Sequence, residues 1–297
     1  MYYFNNNIKY VVGRSILALT IFVPYDCYNH CPFCTSKDDY SDTSKFSLSN
    51  ITKAISDLLI YRGISINIKD IVITGGEPFA DLNKLQILLD ACKPFKKHVY
   101  INTTLPCLSD REAKEIYQFL KKNEDFINGI NISRHMCFKT VLENDKLVER
   151  IYKNLNIPIR INSVLLDVEA EYSRVSEFID KYVKISHSIN FRGDYTKIKT
   201  QDDLRGLDNP FAQVLFNMDN LSYLGSGGCQ VCNNDDFITK EGVYVSFHRG
   251  YEHSLIKQGR YYIINDIIIK QDGSILIDWD GEKFDLSVAL KSWSMRG

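Results

Sequence analysis

The chain offers almost no net charge: 36 Lys and Arg stand against 37 Asp and Glu, a formal charge of −1 over 297 residues. No global field therefore draws it to nucleic acid or to an anionic membrane surface. The short basic runs Lys96-Lys97-His98 and Lys121-Lys122 read as solvated helix ends. No apolar run approaches the ~20 residues of a membrane-spanning helix. The opening Met1-Tyr2-Tyr3-Phe4, followed by the polar patch Asn5-Asn6-Asn7, lacks the charged-then-apolar order of a secretory leader. There is no internal repeat or low-complexity tract. With no leader, eight cysteines imply a reducing compartment rather than a disulfide framework, and the expected location is cytoplasmic. The hydrophobic share of 44% is enough for one large domain and a smaller appendage.

Three of those cysteines fall in one short run, Cys27-Tyr28-Asn29-His30-Cys31-Pro32-Phe33-Cys34, with C-x3-C-x2-C spacing. Three thiolates on one loop can hold three irons of a [4Fe–4S] cube. The fourth iron then keeps an open position, as catalytic zinc does, and can bind a small molecule. One plainer reading is buried cysteine without metal, since Cys is often a core residue; three together on a loop do not fit it. Zinc is the other, but it wants four ligands, and His30 would compete for space with Cys31. Further on, the strand-like run Asp70–Thr74 leads into Gly75-Gly76-Glu77-Pro78. The two glycines let backbone approach a ligand closely and take positive φ. Glu77 adds a carboxylate, and Pro78 stiffens the exit.

Hydrophobic periodicity sets out the rest. Ser15–Val23 reads as a buried strand, and a helix begins near Ser47 with Leu48, Ile51, Ile55, Leu58 and Leu59 on one face. Asp70–Thr74, His98–Asn102, Gly129–Ser133, Ile157–Leu165 and His187–Arg192 are the next strands. Helices fall between them, the second with Asp81 as its N-cap. Cys92 sits on that helix's apolar face, and Cys107 and Cys137 have no partner pattern, so burial is expected for all three. Strands alternating with helices predict a parallel sheet by the right-handed crossover rule. Periodicity leaves a partial barrel and an open doubly wound sheet both in play. Either places ligands at the C-terminal ends of the strands, where both motifs lie. The same rule selects Asn102, Thr103, Thr104, Ser133, Arg134, His135, Arg160, Asn162 and Arg192. Hydroxyls and amides there can bond a ribose, and Arg can pair with a carboxylate. His135 is a candidate acid–base or substrate-contact residue, with a hydrogen-bonded structural His as the alternative.

The paired motifs resemble those of radical S-adenosylmethionine (SAM) enzymes, over roughly residues 15–195. In that family a C-x3-C-x-aromatic-C loop follows the first barrel strand, with Phe33 in the aromatic place here, and a Gly-Gly-Glu-Pro-like turn follows the second. The resemblance implies an α/β fold, a partial (β/α)6 TIM-like barrel. It implies that Cys27, Cys31 and Cys34 bind a [4Fe–4S] cluster whose fourth iron SAM chelates. Gly75, Gly76, Glu77 and Pro78 would hold the methionyl amine, with Phe33 beside the adenine. Thr103, Ser133, Arg160, Asn162 and Arg192 become further cofactor contacts. Arg160-x-Asn162 and Phe191-Arg192 are similar to the branch with the molybdenum-cofactor cyclase and peptide-modifying enzymes. The implied chemistry is reductive cleavage of SAM to a 5′-deoxyadenosyl radical that abstracts hydrogen. An external electron donor of flavodoxin or ferredoxin type is implied as well.

A boundary is expected near 200–210, separating a barrel over 1–200 from a small α+β extension over 201–297. The extension holds Cys229, Cys232, His248 and His253 in C-x2-C-x15-H-x4-H spacing, a pattern that zinc can use. An auxiliary cluster, a redox thiol pair and ordinary thiols without metal stay open for it. The run His248–His253 can also line a substrate pocket. Arg260–Lys270 and Ser274–Trp279 around Gln271-Asp272-Gly273 predict a β-hairpin, which extends the sheet or caps its open side.

Three function classes follow. The first is a radical SAM enzyme acting on a small metabolite or a peptide residue. The short stretch before strand one is expected to leave no room for a fused peptide-recognition domain. The second is a radical SAM enzyme that modifies RNA or activates a partner protein; near-neutral charge argues against RNA. The third is a protein that holds SAM or a cluster without turnover. Neither nucleic acid nor a membrane is an expected partner.

Overall fold

A computed structural model describes residues 2–5, 8–12, 17–23, 27–34, 43–60, 65–136, 141–165, 172–193, 210–227, 234–248 and 255–277. Two strands, β1 (Tyr2–Asn5) and β2 (Ile8–Val12), precede a run of strands and helices in strict alternation. This run is β3 (Leu17–Val23), α1 (Leu48–Ile60), β4 (Ile68–Gly75), α2 (Leu82–Cys92), β5 (His98–Thr103), α3 (Asp110–Lys122), β6 (Ile127–Ser133), α4 (Asp145–Asn154), β7 (Ile159–Leu165), α5 (Tyr172–Tyr182) and β8 (Ser188–Gly193). After it come α6 (Pro210–Phe216), β9 (Leu221–Gly227), β10 (Asn234–Thr239), β11 (Tyr244–His248), β12 (Leu255–Gln258), β13 (Tyr261–Ile264), β14 (Asp266–Ile269) and β15 (Ile275–Leu276). The six alternating strands β3 to β8 give the expected α/β class of the partial (β/α)6 barrel type.

The chain divides into two compact units. The first comprises Met1–Cys27, Asp39–Ile101 and His253–Gly297; the second comprises Tyr28–Asp38 and Asn102–Glu252. In the first unit β3 runs parallel to β4, with Val23 opposite Gly75, and β4 runs parallel to β5. Leu17, Leu19, Ile21, Phe22 and Val23 are all buried, so β3 is covered on both faces as a central parallel strand must be. Helix α1 buries Ile51, Ala54, Ile55 and Leu58, the i, i+4, i+7 spacing of a core-facing stripe. Its first turn is capped by the Ser47 hydroxyl, which accepts from Asn50 N at 3.2 Å. Asp81 caps α2 as expected, accepting from Asn83 N and Lys84 N. Cys92 is fully buried and Cys107 is buried as well; Cys137 lies outside the described residues.

The predicted C-terminal hairpin forms, but its first arm is divided. Tyr261–Ile264 pairs with β2 and β12 in a separate four-stranded sheet, and Asp266–Ile269 lies parallel to β3. Buried Asn265 stands at the break, where its carbonyl accepts from Ala18 N at 2.9 Å. Among the described residues Ile268 and Ile269 pair with β15, so the hairpin extends the sheet next to β3. Its turn packs on α1: Ser47 N donates to Gln271 O at 2.9 Å. Gly273 takes φ +84, and a Cβ there would meet the Asn50 backbone carbon at 2.6 Å.

In the second unit β6, β7, β8 and β11 run parallel, and antiparallel β10 and β9 complete the order. The strand beside β8 thus comes from beyond residue 240, after a gap in the alternation. Helix α3 opens on a reciprocal cap, with Ser109 Oγ accepting from Glu112 N and Glu112 Oε2 accepting from Leu108 N. Among the described residues no helix is long and apolar enough to cross a membrane. The expected boundary at 200–210 lies almost wholly outside the described residues.

Candidate functional site

The cysteine loop leaves the C-terminal end of β3. Cys27, Cys31 and Cys34 are thiols outside any disulfide, and each is partly exposed. Cys34 N donates to Cys31 O at 3.1 Å, which turns the second half of the loop. Among the described residues, no three His, Cys, Asp or Glu side chains converge as a ready-made ligand set. The fit to an iron–sulfur cluster therefore rests on donor chemistry: three reduced, accessible sulfurs on one loop, the ligand type such clusters take. His30 is exposed.

Two residues of this loop are anchored. Asn29 is 7% exposed although Tyr28 before it is 44% exposed. Its Oδ1 accepts from Val141 N at 2.6 Å, and its Nδ2 donates to Thr104 Oγ1 at 3.4 Å. Phe33 meets the His135 ring edge-on, centroids 4.6 Å apart. His135 Nδ1 in turn accepts from Val164 N on β7 at 3.1 Å, which leaves Nε2 as the protonated nitrogen of a neutral ring. Burial, and then the positive charge of Arg134, lower the His135 pKa to about 4. It is thus a held, neutral imidazole at pH 7. That state suits positioning or hydrogen-bond donation better than proton transfer, which favours a pKa near the working pH.

The second motif is a backbone device. Gly75 has φ +119, and a Cβ there would lie 2.8 Å from Val23 N, so only glycine fits. Glu77 is completely buried, and its Oε1 accepts from Phe79 N at 3.0 Å. The carboxylate thereby caps the short 3-10 turn Pro78–Ala80 that leads to Asp81 and α2. Pro78 is buried and Gly76 half-buried.

The strand-end candidates separate into distinct environments. Thr103 is buried, and its Oγ1 accepts from Leu105 N at 2.7 Å. Asn102 Oδ1 accepts from Asn131 Nδ2 at 2.7 Å. Half-buried Ser133 lies in register with Asn162, Asn162 with Asn190, and Asn190 with Ser246. Along this row Ser246 Oγ donates to Asn190 Oδ1 at 2.8 Å, and Asn190 Nδ2 donates to Asn162 Oδ1 at 3.3 Å. Arg160 is exposed and pairs in register with Asn131, one row earlier. Arg192 lies between Val164 and His248, one row later. The structure thus joins Ser133 and Asn162 in one polar row and sets Arg160 and Arg192 in the flanking rows. Asn29, Asn190 and Ser246 carry no signal in the sequence, because each acquires its partner from a distant segment.

Arg134 is not a ligand-facing cation free at the surface. It is 1% exposed, its Nη1 donates to Thr104 O at 2.7 Å and Ser133 O at 2.9 Å, and its Nε meets Asp145 Oδ1 at 3.1 Å. Asp145 also contacts Lys181 at 2.6 Å. Burial raises the Asp145 carboxyl, but Lys181 and Arg134 outweigh it and hold the group below the usual range. Of the C-terminal Cys/His set, only His248, buried at the end of β11, is among the described residues. Cys229, Cys232 and His253 lie outside them, and no finding supports zinc.

The family model described as a 4Fe-4S single cluster domain matches residues 13–158. A probable GTP 3′,8-cyclase of Sulfurisphaera tokodaii is 28% identical over 163 residues, which is 52% of this chain and 48% of that protein. The chain thus spans about half the length of that curated relative. Among solved structures, Streptococcus suis SuiB bound to S-adenosylmethionine matches 95% of this chain and 64% of its own, with TM-score 0.57 and 16% identity. SuiB bound to its precursor peptide SuiA matches 95% of this chain and 65% of its own, with TM-score 0.61 and 17% identity. At that identity the likeness to SuiB is one of fold. The cysteine loop and the glycine turn follow successive parallel strands, and the matched 4Fe-4S domain and the cyclase relative support the resemblance to the radical S-adenosylmethionine superfamily, with the fold of SuiB consistent with it.

Proposed function

We propose that the protein is a radical SAM enzyme that abstracts hydrogen from a small metabolite or a peptide residue. The observation that carries this reading is the run of three partly exposed cysteines, none in a disulfide, within the matched 4Fe-4S domain. In it, Cys27, Cys31 and Cys34 would hold a [4Fe–4S] cluster, with SAM as the cofactor it reduces. When bound, such a cluster would pass an electron from an external donor to SAM and so supply the hydrogen-abstracting chemistry that the proposed reaction needs.

The chain's own residues bind, orient and exclude. The Gly75–Pro78 turn presents backbone at close range, because Gly75 carries no Cβ and Glu77 is folded into its own cap. Phe33 offers an aromatic face beside the loop. Thr103, Ser133, Arg160, Asn162 and Arg192 are polar groups at strand ends where ribose hydroxyls and a carboxylate find partners. Neutral His135 orients Phe33 and offers an Nε2–H. Holding the reacting atoms in line and keeping water out are the contributions a protein makes to cofactor chemistry of this kind. The redox partner is an external low-potential electron donor. A peptide substrate is supported by the fold shared with SuiB, whose structure with a precursor peptide is among the matches.

The test is anaerobic reconstitution followed by dithionite and SAM, with 5′-deoxyadenosine as the product measured. Wild-type protein is expected to hold about four irons and release that nucleoside, and Cys27→Ala to lose both. Release of 5′-deoxyadenosine by Cys27→Ala at the wild-type rate would refute the reading. A wild-type protein that binds the cluster without cleaving SAM would be a non-catalytic binder.

A further inference from the structure

We infer that Asn29 is a positioning residue for the cysteine loop, one of two anchors that hold Cys31 between them; its bearing on the cluster rests on the function proposed above. A buried amide in a loop whose other residues are exposed or half-buried is costly unless its hydrogen bonds are made. Asn29 makes them to two separate segments, Val141 N and Thr104 Oγ1. Those segments are themselves tied together: Cys107 N donates to Leu142 O at 3.1 Å, and Pro106 bridges Glu143. Each contains a leucine with positive φ, Leu105 at +47 and Leu142 at +65. Non-glycine residues keep such strain only where the surroundings over-determine the backbone. Thr103 Oγ1 supplies that constraint on one side, accepting from Leu105 N. On the same segment, Arg134 Nη1 grips Thr104 O and is backed by Asp145.

The second anchor is Phe33 on His135, and His135 is fixed by Val164 N. Asn29 lies two residues before Cys31, and Phe33 two residues after it. With Asn29 bonded to Thr104 beyond β5 and to Val141 in the turn before α4, and Phe33 packed on His135 beyond β6, the loop is held on both sides of Cys31. The geometry offered to a cluster, and the hydrogen bonding that tunes its potential, are then set by residues that never touch the metal.

The experiment has two arms, each in the full-length chain. In the metal-free protein, iodoacetamide labelling of Cys31 is followed by mass spectrometry in wild type, Asn29→Ala, Asn29→Asp and Thr104→Val. Asn29→Ala is expected to label about fivefold faster, the factor that one net hydrogen bond represents. Asn29→Asp keeps the acceptor for Val141 N and is expected to fall between the two; Thr104→Val is expected to match it. In the reconstituted protein, Asn29→Ala is expected to change the EPR spectrum of the reduced cluster and its midpoint potential, and Asn29→Asp to restore part of both. Equal Cys31 labelling in all four proteins overturns the inference. So does a lowered melting temperature with unchanged labelling and spectrum, since that is a purely structural role. If Asn29→Ala does not fold, Asn29→Asp and Thr104→Val decide on the same criteria. A wild-type protein that takes up no cluster defeats the proposed function, while the labelling arm still judges the anchor.

Discussion

Gly75 stands against Val23 so closely that a Cβ on Gly75 would lie 2.8 Å from the Val23 amide nitrogen. The two residues are partners in the parallel β3–β4 pair, at the point where both strands end in their motifs. Real Cβ atoms do not approach backbone nitrogen to that distance, and the +119 φ of Gly75 adds a second obstacle.

Gly75→Ala is therefore expected to cost about 2–3 kcal/mol, from backbone strain and from displacement of β3. Chemical denaturation measures it directly. An unchanged midpoint would mean that the turn relaxes easily and that its glycine serves ligand approach alone.

His135 predicts a pH dependence of stability with a definite sign. Its pKa is lowered from 6.5 to about 4, first by burial and then by Arg134. As pH falls below 6.5 the unfolded chain takes up the proton while the folded chain resists it. Stability is thus complete above pH 6.5 and is lost as pH falls towards 4, by roughly 3 kcal/mol for this one group. In the metal-free chain, His135→Gln is expected to flatten that part of the stability–pH curve. His187 is lowered in the same direction by burial, so His187→Gln is the control that leaves most of the slope in place. Parallel curves for wild type and His135→Gln would contradict the neutral, buried imidazole.

Asp145 is held between Arg134 and Lys181, and Arg134 is almost wholly buried. Removing Asp145 leaves buried Arg134 with the longer contact to Glu143, at 3.9 Å. Asp145→Asn is expected to destabilise by about 3 kcal/mol. Because this carboxyl is held below its usual range, its contribution is present above the unfolded pKa and disappears as pH falls through the folded one. The double variant Arg134→Met with Asp145→Leu is expected to cost less than the sum of the single changes. Strict additivity in that cycle would show that the two side chains do not act as a unit.

The one-dimensional pattern carried the local features around the candidate site. The C-x3-C-x2-C run, the Gly75–Pro78 turn, the Asp81 cap and the six strands each depend on residues close together in the chain. Spacing and periodicity describe such relations completely. Gly75 reads from sequence as a glycine that lets backbone approach a ligand; the close neighbour the fold gives it is Val23 N. Glu77 read as a carboxylate added to a ligand turn; the fold spends one oxygen on Phe79 N. Arg134 read as a strand-end cation and proved to be an interior tie.

The sequence by itself determined the order of the six alternating strands and their helices, the candidate sulfur donors and the family that they resemble. Tertiary structure alone decided that β14 lies beside β3, where Thr20 Oγ1 donates to Asp266 Oδ1 at 3.0 Å across 246 positions. It likewise decided that β11 lies beside β8 and that Asn29 reaches Thr104 and Val141. Burial, and with it the neutrality of His135, belongs to the same class. Local propensity acts over a few residues, whereas register, burial and long-range hydrogen bonds exist only once distant segments have met.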